Sequence, residues 1–76
     1  MRAALDAAAA DLRHCSERAG GLLLVEFETA QGRSEFARVM VRGKADDAVR
    51  RCVHEATRSV RFEPTDVQTF TEEYEP

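Results

Sequence analysis

The chain has no tryptophan, one tyrosine (Tyr74), one lysine (Lys44) and two prolines in 76 residues. Its core must therefore be built from leucine, valine, phenylalanine and alanine. No apolar run approaches the ~20 residues that cross a bilayer; the longest is Leu22-Leu23-Leu24-Val25. The alanine-rich N-terminus is interrupted by Arg2, Asp6, Asp11 and Arg13 and so lacks the apolar stretch of a signal peptide. Two readings follow: a cytosolic protein, or an excised domain whose export signal lies upstream. A net charge of −3 gives no electrostatic reason to expect a nucleic acid partner. There is no Cys-x-x-Cys motif. There is also no glycine-rich phosphate loop, because Gly20-Gly21 precedes a strand pattern where a phosphate loop would precede a helix.

An apolar fraction of 43% with 33% charged residues suits one folded domain over residues 1–76 and not a disordered chain. A domain this short buries only roughly 60% of its unfolded surface, so a disulfide, a metal or a partner subunit is a common supplement. Residues 3–19 predict a helix, with Leu5, Ala8, Ala9, Leu12 and Cys15 on one face and Gly20-Gly21 ending it. Residues 44–60 predict a second helix, striped by Ala45, Ala48, Val49, Cys52, Val53, Ala56 and Val60. Asp46 and Asp47 stand at its positive end and Arg58 and Arg61 at its negative end. Pro64 prevents its continuation, and Phe62 is expected to fold back onto the core.

Between the helices, Leu22–Thr29 and Glu35–Arg42 alternate as strands do, joined by the hairpin signal Ala30-Gln31-Gly32-Arg33. A two-residue Gln31-Gly32 turn would set Val25 opposite Arg38 and bury an arginine. A three-residue Ala30-Gln31-Gly32 loop sets Val25 opposite Ala37 and Leu23 opposite Val39, with Gly32 supplying the left-handed position. The three-residue loop is the expectation. Residues 65–74 predict a third, more polar strand with Val67, Phe70 and Tyr74 as its apolar members. The fold class is thus α+β in the order α-β-β-α-β. The second helix crosses over one strand position, which gives a three-stranded antiparallel sheet of order 2-1-3 with both helices on one face.

Cys15 and Cys52 each lie on the apolar stripe of a helix, and both helices cover the same sheet face, so the two thiols could approach each other. A bridge would supply roughly 3–4 kcal/mol and imply an oxidising compartment. The alternative is two buried free thiols acting as small hydrophobes. Zinc is not expected: His14 and Cys15 diverge by ~100° on a helix, and Cys52 and His54 by ~200°. Neither thiol has a helix N-terminus beside it to activate it as a nucleophile. Asp46-Asp47 reads as a helix start and Glu72-Glu73 as part of a polar tail. The residues therefore point to a binding module without metal or cofactor, not an enzyme.

Two surfaces are candidates for binding. Leu22, Leu24, Phe36 and Met40 are expected together on the open sheet face as an apolar patch rimmed by Glu26, Arg38 and Arg42, which would suit a homodimer contact in a cytosolic assembly module. The edge strand, with Val67, Gln68, Thr69, Phe70, Thr71 and Tyr74, could accept an extended peptide by strand addition. Alternatively it is an ordinary edge kept monomeric by Asp66, Glu72 and Glu73.

The run Gly21-Leu22-Leu23-Leu24-Val25-Glu26-Phe27 resembles the first strand of the C-terminal domain of TonB-type energy transducers. Gly32 matches that family's hairpin glycine, and Cys52-Val53 followed by Arg61-Phe62-Glu63-Pro64 is similar to its second-helix stretch. Cys15 with Glu17 close behind resembles the end of helix one in myxobacterial, AgmX-like gliding-motility relatives. The Tyr-Pro entry of the family domain is absent here, and the last strand is more polar, with Thr69, Thr71, Glu72 and Glu73. The resemblance implies a periplasmic domain of a longer, inner-membrane-anchored, envelope-spanning protein. It also implies that the last strand, Val67 to Tyr74 here, pairs with an extended segment of an outer-membrane or periplasmic partner protein.

Overall fold

The computed structural model describes residues 2–43, 45–64 and 66–76. Five elements follow in the expected order: α1 (Arg2–Ala19), β1 (Leu23–Thr29), β2 (Phe36–Arg42), α2 (Asp47–Thr57) and β3 (Thr69–Tyr74). They form an α+β fold with an antiparallel sheet of order β2-β1-β3. The expected starts of the second helix at Lys44 and of the third strand at Thr65 lie outside the described residues.

Alanine and leucine make α1 a strong helix former, and its buried stripe is Leu5, Ala8, Leu12 and Cys15. At its end the Gly20 N–H donates to Glu17 O and the Gly21 N–H to Ser16 O, with Gly20 at φ +83°. This closing pattern uses the left-handed conformation that glycine adopts without a Cβ penalty. α2 begins at an N-cap, Asp46, whose carboxylate accepts from the Val49 N–H at 2.9 Å. Its far end is closed by Arg61, whose guanidinium donates to Arg58 O and Val60 O. The helix stops at Thr57, and the chain then turns through a Val60 N–H to Thr57 O bond that sends Val60 and Phe62 into the core. Ala48, expected on the stripe, is exposed. It lies ~100° from Val49, at the margin of the apolar arc.

On the sheet, Leu23, Val25 and Phe27 are buried beneath both helices. α1 lies against β1 and β3, and α2 against β2. Leu24, Glu26 and Glu28 point to the open side, opposite Arg42, Met40 and Arg38 respectively. The expected parity therefore holds: Val39 and Val41 share the core face and Arg38 points out.

The pairing partners do not hold. Val25 lies opposite Val41 where Ala37 was expected, and Phe27 lies opposite Val39. The connection runs over residues 30–35, twice the expected loop. Gly32 takes the left-handed conformation anticipated, at φ +74°, but the Arg33 N–H donates to Ala30 O, so the turn closes around Gln31-Gly32 and not around the expected three-residue loop. Ser34 then remains outside the ladder because its carbonyl accepts from the Phe62 N–H at 2.9 Å. The loop is longer because the segment after α2 uses its backbone.

A second correction concerns Phe36. The register slips between Glu28 and Thr29, leaving Ala37 as the extra residue of a bulge and setting Phe36 opposite Thr29. Phe36 therefore faces the helices and not the open side. Its ring centroid is 4.7 Å from Phe27 and 5.0 Å from Phe62. A bulge forfeits about one net ladder bond, ~1 kcal/mol, whereas burying a phenyl ring contributes about 1.5–3 kcal/mol. The aromatic cluster outweighs the regular ladder.

Candidate functional site: the free edge of β3

β3 is an outer strand of the sheet, and its register against β1 is regular from Leu23–Tyr74 through Glu28–Thr69. Continued by one residue, that register sets Thr29 opposite Gln68, and the Thr29 N–H donates to Gln68 O at 2.8 Å. In an antiparallel ladder, hydrogen-bonded and non-bonded pairs alternate. Gln68, Phe70, Glu72 and Tyr74 thus turn their backbone groups towards β1. Thr69, Thr71 and Glu73 turn theirs away from the sheet, and these are the groups an added strand would meet.

The side chains divide in the same way. Phe70 faces inward, its ring centroid 5.4 Å from Phe27. Tyr74 is half-buried opposite Leu23. Thr69, Thr71 and Glu73 lie exposed on the open face. Of the residues expected on this strand, Thr69, Phe70, Thr71 and Tyr74 are in it. Val67 and Gln68 precede it, and Val67 is 61% exposed. Val67 thus has no core role, because the chain enters the sheet two residues later.

Two buried hydroxyls hold this strand in place, and neither stood out in the sequence. Thr29, 1% exposed, accepts the Gln68 N–H at 2.8 Å, and its Oγ1 lies within reach of Asp66 O and Gln68 O. Ser16 is fully buried at the end of α1. Its hydroxyl proton is shared between Gly21 O and Tyr74 O. Thr29 thus fixes the entry to β3 and Ser16 its exit. The signal that could have found them is a polar residue at a core position: Thr29 continues the buried alternation Leu23, Val25, Phe27, and Ser16 sits one residue after Cys15 on the α1 stripe.

Beside β3, on the helix side, a groove of about 680 Å³ runs between α1 and the strand. Leu5 and Ala9 contribute apolar surface to it, and Asp6, Arg13, Glu72 and Glu75 are among its polar lining residues. The opposite edge of the sheet, between β2 and α2, carries Arg38, Arg51 and Arg58 with Glu35 and Glu55. β2 is also bulged, which twists an edge away from pairing.

The open-face residues do not gather as expected. Leu22 is 54% exposed ahead of β1, Phe36 is in the aromatic cluster, and Leu24 and Met40 lie on one diagonal of a quartet. The other diagonal is the Arg42–Glu26 ion pair at 2.6 Å, which breaks up the apolar surface. Cys15 and Cys52 form a disulfide across the two helices, with Cα atoms 5.7 Å apart. His14 sits on the outer face of α1, 3.7 Å from Glu17, and His54 is exposed on α2. Among the described residues no helix is long and apolar enough to cross a membrane. No protein-family model matches the chain, and neither a curated protein nor a solved structure shows significant similarity to it.

Proposed function

We propose that this chain is a protein-interaction module of a TonB-type, envelope-spanning protein, taking up an extended segment of an outer-membrane or periplasmic partner on the free edge of β3. The observation that carries the reading is the outward-facing backbone of Thr69, Thr71 and Glu73 on a regular outer strand held at both ends by buried hydroxyls. A strand already ordered by its own domain loses little entropy when a partner pairs with it. The Cys15–Cys52 bridge agrees with a periplasmic location, because disulfides persist in oxidising compartments. The order of elements agrees with the resemblance in the first strand, the hairpin glycine and the Arg61-Phe62-Glu63-Pro64 stretch. Binding, with no catalysis and no cofactor, is the activity proposed; transmission of energy or of motility force would act through this contact. Dimerisation of a cytosolic module through the open face has less support, because Phe36 is absent from that face and the Glu26–Arg42 pair interrupts it.

The test is site-specific photocrosslinking in the native cell. A photoreactive residue at Thr71 is expected to give an adduct with one envelope protein, crosslinked through an extended segment. The same group at Arg51, on the far edge, is expected to give none. Adducts from Arg51 alone, or Cys15 and Cys52 trapped as free thiols in the cell, would overturn the proposal.

A further inference from the structure

We infer that the segment accepted by β3 is apolar at two positions four residues apart, one beside Phe70 and one beside Tyr74, and polar on its other face. This inference rests on strand addition at β3 and specifies its partner. Thr69, Thr71 and Glu73 turn their backbone groups outward, so they would form the hydrogen-bonded pairs with an antiparallel added strand. Phe70 and Tyr74 would then stand in non-bonded pairs, where Cα atoms approach to about 4.5 Å and side chains lie closer. Both project to the helix side, and the partner side chains opposite them would do the same. Each is half-buried. β1 covers one flank of each: Phe27 lies against the Phe70 ring, and Leu23 is opposite Tyr74. Because β3 is the outer strand, an added strand is what would cover the other flank. Cross-strand pairs of an aromatic with a β-branched or aromatic residue are among the favourable ones. The groove of about 680 Å³ beside β3 leaves room for such side chains. On the open face the partner would meet the exposed Thr69, Thr71 and Glu73, where an apolar side chain would stay in water and a hydroxyl could pair with threonine. A second copy of this chain is a poorer occupant. It sets an aromatic beside both anchors only in the register that pairs Phe70 with Tyr74 of the copy, and that register places Glu72 directly opposite Glu72, a like-charge pair.

The experiment is a titration of the isotope-labelled, disulfide-intact chain with three capped seven-residue peptides, each with threonine at every odd position. The even positions carry valine, serine, valine in the first peptide, valine, valine, serine in the second, and serine throughout in the third. Amide shifts are followed at 69–75, and intermolecular Overhauser contacts from the valine methyls at the rings of Phe70 and Tyr74. The first peptide is expected to bind about fivefold more tightly than the third, with the second between them, and to place one valine against each ring. Tyr74→Ser is expected to bring the first peptide level with the second, and the ring contacts in the unaltered chain test the same point without a variant. Equal binding of all three, with shifts at 69–73, would overturn the apolar pattern while leaving strand addition in place. Valine contacts to Thr69 and Thr71 in place of the rings would do likewise. A first peptide methylated on the amides of alternate residues, in both phases, that binds undiminished would reveal apolar adhesion without strand pairing and overturn the inference. Self-association that shifts 69–75 without peptide would assign the edge to a second copy and do the same. No shift at β3 with any peptide would remove strand addition itself, and the inference with it.

Discussion

Thr29 and Ser16 show how single polar atoms can position an edge strand. Each is buried where an apolar residue would pack equally well, yet each satisfies backbone groups that the sheet and helix leave over. Replacing Thr29 by valine keeps the shape and removes the acceptor for the Gln68 N–H. We expect a loss of about 1–2 kcal/mol. Hydrogen exchange at Phe70 and Glu72 should accelerate more than at Val53 in α2. Thr29→Ser, which retains the hydroxyl, should restore the protection of β3. Uniform acceleration in every element would show that the hydroxyl supports the fold in general and not β3 in particular.

At the level of elements, β2 shows packing overriding a regular ladder. Two segments compete for the backbone of residues 33–35: a continued hairpin with β1, and the chain leaving α2, whose Phe62 N–H takes Ser34 O. The second prevails together with the rings of Phe27, Phe36 and Phe62. Phe36→Ala should therefore cost about 2–3 kcal/mol, as a core truncation does. Met40→Ala, on the open face of the same strand, should cost less than about 1 kcal/mol. Denaturant unfolding of the two variants checks the ordering; a reversed order would return Phe36 to the open face. α2 depends on its first turn in a similar way. Asp46→Ala removes the acceptor of the Val49 N–H and should cost about 1 kcal/mol, with Asp46→Ser recovering most of it.

For the whole molecule, the bridge between the helices is a large part of the stability. It closes a span of 37 residues, for which the chain-entropy estimate is about 4 kcal/mol. Small domains have net stabilities near 5 kcal/mol, the low end of the general range. Reduction should therefore leave the chain close to its unfolding midpoint at physiological temperature, with Tm lowered by about 20 °C or more. Circular dichroism melts with and without a phosphine reductant measure this, and an unchanged Tm would show that the core suffices alone. A reducing environment would then dismantle the β3 edge with the rest, because Ser16 follows Cys15 directly and shares its anchorage.

Local chemistry determined much of this protein. Helical spacing of Leu5, Leu12 and Cys15, and of Val49, Cys52 and Val53, sets two helices with a sulphur on each inner face. Alternation in Leu23–Thr29 and in Val39–Val41 sets which side of the sheet is buried and keeps Arg38 outside. Those periodicities belong to the chain before it folds, so the element order, the 2-1-3 sheet and the facing cysteines were legible. Tertiary structure alone decided the partner of Val25, the inward turn of Phe36, the late start of β3 and the roles of Ser16 and Thr29. Each depends on atoms brought together from distant parts of the chain: Phe62 to Ser34, Gln68 to Thr29, Tyr74 to Ser16. The groove beside β3 belongs with these, since Asp6 and Glu75 line one surface only once α1 lies against the last strand.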